Sequence, residues 1–104
     1  MNYYVKKAAP EDVSQIVALI HEFAEFEKLS EWCEVGENDL RGAIFGANAF
    51  VQALVAVADE TRVGYALFYP VFKSFRGERS MFLEDLYVSP ALRGKGLGLK
   101  MLKE

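Results

Sequence analysis

Leu83-Glu84-Asp85-Leu86-Tyr87-Val88 is followed by Ser89-Pro90-Ala91-Leu92, then by Arg93-Gly94-Lys95-Gly96-Leu97-Gly98, with Leu99-Lys100-Met101-Leu102-Lys103-Glu104 closing the chain. Strand, tight turn, glycine-rich loop and helix start, in that order, form a physical device for holding phosphate. Glycines allow close backbone approach, the unpaired N–H groups of a helix start point outward, and Arg93 and Lys95 add positive charge. The plainer alternative is that Gly94, Gly96 and Gly98 merely shape a loop. Two familiar phosphate motifs do not fit. No Gly-x-x-x-x-Gly-Lys-Ser/Thr string occurs, and the chain stops before a dinucleotide fingerprint could place its acid ~20 positions on.

Outward from this stretch, residues 81–88 read as a strand of unusual character, apolar and acidic together, and residues 73–80 as a polar connection. Two β-rich runs precede it, residues 50–58 and 63–69, flanking Asp59-Glu60-Thr61-Arg62, which predicts a hairpin. Pro70 belongs near the end or at an edge of the second strand, because it cannot donate to a ladder. Further back, Val13, Ile16, Val17, Ile20, Phe23 and Ala24 recur at the helical period after the entry signal Ala9-Pro10-Glu11-Asp12. That spacing predicts an amphipathic helix over residues 11–28. A shorter helix over 36–45, stopped by Gly46, and a first strand over 3–7 complete the reading.

The 104 residues make one domain, 1–104, and 52% apolar composition is enough to fill one core, which excludes intrinsic disorder. A net charge of −3 argues against a nucleic-acid partner. Residues 11–39 hold nine acids against one base, net −8, while residues 93–104 reach +3, so one end suits cations and the other anions. With Cys33 as the only cysteine, no internal disulfide forms. The N-terminus lacks a signal-peptide pattern, and the longest apolar run, residues 53–58, is far short of a membrane span. These features predict a cytoplasmic protein without a membrane partner. His21 is the sole histidine and has no metal-ligand spacing to a partner, so no metal is expected.

With the glycine-rich loop in its strand context, the sequence resembles the GNAT N-acetyltransferases, whose coenzyme motif reads Arg/Gln-x-x-Gly-x-Gly/Ala after a strand. Phe26-Glu27 and Leu83-Glu84-Asp85 are similar to the branch that acetylates polyamines and thialysine-like amines. The resemblance implies an α/β (α+β) fold, a mostly antiparallel sheet with flanking helices, and acetyl-CoA as co-substrate. It assigns the main chain of Leu86, Tyr87 and Val88 to the pantetheine arm. Arg93, Gly94, Lys95, Gly96, Leu97, Gly98 and Leu99 fall to the pyrophosphate, Phe26 and Glu27 to substrate contact, and Glu84 to proton acceptance. A carboxylate in that place can draw in an ammonium group and take its proton as nitrogen attacks, provided burial or a relay water makes it effective. On the residues alone, Glu84 and Asp85 could equally be acids on a strand with one wet face. The acids of residues 11–39 could likewise be a solvated face or could steer a cationic amine.

Family members continue with a further strand, helix and hairpin that this sequence lacks, including a tyrosine that protonates the departing thiolate. None of Tyr3, Tyr4, Tyr65, Tyr69 or Tyr87 stands in that place. The expected function is acetyl transfer to a small primary amine, the alternative a non-catalytic CoA-binding or dimerisation fragment. Residues 81–88 are expected to present an unpaired edge and hence to support a homodimer.

Overall fold

The computed structural model describes residues 3–92 and 101. In chain order the elements are β1 (Tyr3–Lys7), α1 (Val13–Phe26), α2 (Glu37–Phe45), β2 (Gln52–Ala58), β3 (Thr61–Lys73) and β4 (Glu78–Val88), with 3-10 turns at Pro10–Asp12, Ser30–Trp32 and Pro90–Leu92. The four strands form one sheet in the order β1-β2-β3-β4, and every neighbouring pair is antiparallel.

The continuous apolar run of β2 follows from its central place. Ala53, Val55 and Val57 meet α1 and α2 on one face, where Val13, Ile16, Leu19 and Leu40 are buried. Leu54, Ala56 and Ala58 face the other way, into a second cluster with Val63, Ala66 and Met101. A strand covered on both faces has no polar side to alternate with. Met101, helical and buried, packs into this second cluster, on the face of the sheet opposite α1.

The helical period is realised with shifted ends. Pro10–Asp12 is a 3-10 turn and α1 begins at Val13. The Asp12 side chain turns back to accept the Ala9 N–H at 2.7 Å, so it shapes the turn rather than extending the helix. At the far end α1 stops at Phe26, because Lys28 takes a left-handed conformation (φ 60°). The Leu29 N–H then reaches the Ala24 carbonyl at 2.7 Å and the Lys28 N–H that of Glu25 at 3.0 Å, a Schellman cap with lysine in the usual glycine position.

Between β2 and β3 the turn is tighter than the sequence suggests. Ala58 pairs with Thr61, leaving Asp59 and Glu60 as a two-residue loop, both at positive φ (49° and 70°) as a primed turn demands. The second hairpin is longer than expected: β3 runs to Lys73 and β4 starts at Glu78, so half of the polar connection is strand, turned at Gly77 (φ 64°). Pro70 pairs with Met81 inside β3, beyond Phe68 where β2 ends, so the strand there has a neighbour on one side only. Gly64 is a close approach. A Cβ built there would stand 2.7 Å from the Tyr87 carbonyl oxygen, so glycine alone lets β3 lie this near the end of β4.

Candidate functional site

The site begins with a fault in the ladder. Leu67 pairs with Asp85 and Phe68 with Leu83, so Glu84 is an extra residue, a β-bulge in β4. In a regular strand, neighbours point to opposite faces. With the bulge, Glu84 and Asp85 line one cleft of about 380 Å³, together with Glu27, Phe23, Leu29, Trp32 and Cys33. Three carboxylates thus meet an apolar wall, and no basic side chain lines the cleft among the described residues.

The two strand acids live in different surroundings. Glu84 is exposed, with the Tyr69 hydroxyl at 3.5 Å, the outer limit of a hydrogen bond. Asp85 is half-buried and accepts the Tyr65 hydroxyl at 3.0 Å. Burial pushes the Asp85 carboxyl above its ordinary range and the negative charge of Glu84 adds to this, while the Tyr65 hydrogen bond pulls the other way. Tyr65 is itself fully buried, and burial together with the Asp85 charge pushes its hydroxyl far up, so it remains a donor. The Tyr65 ring lies in the core, but its hydroxyl oxygen reaches the cleft acid.

The opposite wall comes from the end of α1. The Lys28 cap reverses the chain and the Ser30–Trp32 turn, held by the Trp32 N–H to the Leu29 carbonyl at 2.9 Å, carries Leu29, Trp32 and Cys33 over the cleft. His21 donates from Nε2 to the Val35 carbonyl at 2.9 Å, tethering α1 to the segment before α2.

Of the expected substrate residues, Glu27 shares the cleft with Glu84, whereas Phe26 lines a separate concavity of about 590 Å³ with Glu22, Glu25, Tyr87, Ser89 and Pro90. Glu22 was not singled out by the sequence. Its carboxylate accepts the Tyr87 hydroxyl at 2.6 Å and the Ser89 hydroxyl at 2.8 Å, and Phe23 stacks on Tyr87 with ring centroids 4.9 Å apart. Together these pin α1 to the end of β4. Tyr87 faces α1, and Leu86 and Val88 face the opposite cluster. Arg93, Gly94, Lys95, Gly96, Leu97, Gly98 and Leu99 lie outside the described residues. Among the described residues there is no group of three or more His, Cys, Asp or Glu side chains that could hold a metal, and no helix long and apolar enough to cross a membrane.

An antiparallel sheet with two helices on one face, and a bulged strand that turns two neighbouring acids into one cleft, defines a mixed α/β protein with an acid-lined cleft. Residues 14–104 match the acetyltransferase (GNAT) family, and the chain belongs to that family. It is 39% identical to mouse thialysine N-epsilon-acetyltransferase over 96% of its length, and spans 63% of that protein. It is 32% identical to human spermidine/spermine N(1)-acetyltransferase-like protein 1, of which it spans 16%. Among solved structures, an integron cassette protein from the Cole Harbour Salt Marsh metagenome superposes with a TM-score of 0.80 at 25% identity, covering 95% of this chain and 64% of the other.

Proposed function

We propose that the chain carries the acceptor side of an N-acetyltransferase site that moves an acetyl group from acetyl-CoA to the primary amine of a small cationic molecule, such as a polyamine or thialysine. The observation that carries this reading is the convergence of Glu27, Glu84 and Asp85 on one cleft with an apolar wall. An alkylamine needs both features, anions for its ammonium and carbon surface for its chain. The amine nitrogen attacks the thioester carbonyl carbon, the tetrahedral intermediate collapses with cleavage of the C–S bond, and the coenzyme departs as thiolate. The Asp85 charge holds the ammonium form, Glu84 takes its first proton directly or through water and so frees the nitrogen lone pair for attack, and the second nitrogen proton leaves as the intermediate collapses and is taken up by the departing thiolate.

For the coenzyme, the main chain of Leu86, Tyr87 and Val88 is proposed to run beside the pantetheine arm, and the amides from Gly94 to Leu99, with Arg93 and Lys95 near them, to bind the pyrophosphate. β4 is the outer strand of the sheet among the described residues, which suits main-chain pairing of this kind. The same outer strand exposes Met81, Phe82 and Leu83, and Phe72 and Phe75 are exposed on its hairpin, a surface suited to a second copy of the chain. The free Cys33 fits a reducing, cytoplasmic setting. A homodimer predicts a concentration-dependent doubling of mass in size-exclusion chromatography with light scattering; a monomer at micromolar concentration contradicts it.

Calorimetric titration with CoA, followed by thiol release from acetyl-CoA in the presence of spermidine, thialysine or lysine, tests the function. Saturable binding with amine-dependent release is the expected result. Binding without release instead identifies a non-catalytic CoA module.

A further inference from the structure

We infer that Trp32 selects the acceptor: its indole is the surface on which the non-reacting cationic end of the amine rests, so the cleft favours acceptors with a second ammonium group over monoamines of the same length. This deepens the functional reading above and rests on it.

Trp32 is the only tryptophan in the chain, and it is 73% exposed although it lines the cleft. A ring of that size left in water forgoes the burial that normally holds tryptophan in a fold. Its exposure therefore contributes nothing to the core, while its position is set by structure: the left-handed Lys28 cap and the Ser30–Trp32 turn fix where it stands. Facing the same space are Glu27, Glu84 and Asp85. One ammonium group can answer only one of those three carboxylates, and a second cation at the far end of the molecule answers another. Indole is the best aromatic face for a cation, and such a contact corresponds to between about 2-fold and 30-fold in affinity, depending on how far it is desolvated. The apolar neighbours Leu29 and Phe23 suit the methylene chain between the two charges.

Because Trp32 is the sole tryptophan, its emission, excited where tyrosine does not absorb, reports occupancy of the cleft without any turnover. Putrescine should shift or quench it saturably, and butylamine at the same concentrations should do so at least several-fold more weakly. In thiol-release assays Trp32→Ala should raise KM for putrescine about 5- to 20-fold with kcat unchanged, raise KM for butylamine several-fold less than that, and be largely rescued by Trp32→Phe. Since the side chain is exposed, neither variant removes core packing. Putrescine turnover with unmoved emission and an unchanged KM in Trp32→Ala would overturn the role of Trp32 while leaving acetyl transfer standing. Absence of turnover with every amine would instead count against the functional reading. The emission titration would then decide the inference alone, upheld by a putrescine-selective change and overturned by none.

Discussion

Glu84→Gln should lower amine-dependent turnover about 100-fold, within the range general-base removal usually produces, with the CoA dissociation constant unchanged. The size follows from the chemistry of the acceptor. A lysine-like amine, pKa ~10.4, stands ~3.4 units from its free base at pH 7, which at ~1.36 kcal/mol per unit is a barrier contribution of about 4–5 kcal/mol. Attack on a thioester needs that free base, and a carboxylate beside the nitrogen takes the proton as the bond forms. Glutamine keeps the volume and one acceptor oxygen of Glu84 but cannot be protonated at these pH values. The loss should therefore fall on kcat. Asp85, brought to the same cleft by the bulge, remains to attract the ammonium, so KM for the amine should rise only a few-fold. Steady-state kinetics on both proteins across about pH 6 to 9 measures this, and equal turnover throughout that range removes Glu84 from the mechanism.

The largest effect on stability is expected at Asp12. Its side chain has no exposed surface and lies between Lys6 Nζ at 2.8 Å and Arg62 Nη2 at 2.7 Å, while also accepting the Ala9 N–H. It ties β1 and the entry to α1, which are neighbours in sequence, to β3, 50 residues further along the chain. Burial works against its charge, but the hydrogen bonds from Lys6, the Ala9 amide and Arg62 together hold its carboxyl below the ordinary 3.8. Asp12→Ala removes the anion and leaves two partly buried cations and an amide without their acceptor. Breaking a buried pair this way costs about 3–5 kcal/mol. For a domain of this size total stability is roughly 5–15 kcal/mol, so a fall of at least about 12 °C in Tm is expected.

The pH dependence has a defined sign. Asp12 has a lower folded than unfolded pKa, so its contribution is complete above 3.8 and is lost as pH falls through the lower folded value. Urea denaturation at neutral pH should show the full gap between the two proteins, and the gap should narrow on acidification below 3.8. A gap independent of pH would assign the effect to packing instead of charge.

The acids of the site show how far a chain can be read locally. Residues 83–88 were legible as a strand with carboxylates, and α1 was legible from Val13 to Phe23, because each pattern reflects burial against one surface over a few residues. The strand ends were not. Residues 73 and 78–80 are polar and still pair, since an antiparallel arm is held by main-chain bonds whatever its side chains. Nor was the joint facing of Glu84 and Asp85, because alternation, the only rule available along the strand, sends neighbours to opposite faces. The bulge that overrides it exists only in the register of β4 against β3.

The same division holds for Asp12, an ordinary helix-entry acid in the sequence and the meeting point of Lys6 and Arg62 in three dimensions, and for Trp32, isolated in the chain and a wall of the cleft once Lys28 reverses the backbone. By itself the sequence determined the element types and the family, because periodicity and a local motif are properties of short windows. Which acids share a space, which tyrosine hydroxyl supports them and which aromatic faces them were decided by tertiary structure, since those contacts depend on strand register and on the angle at which one element leaves another.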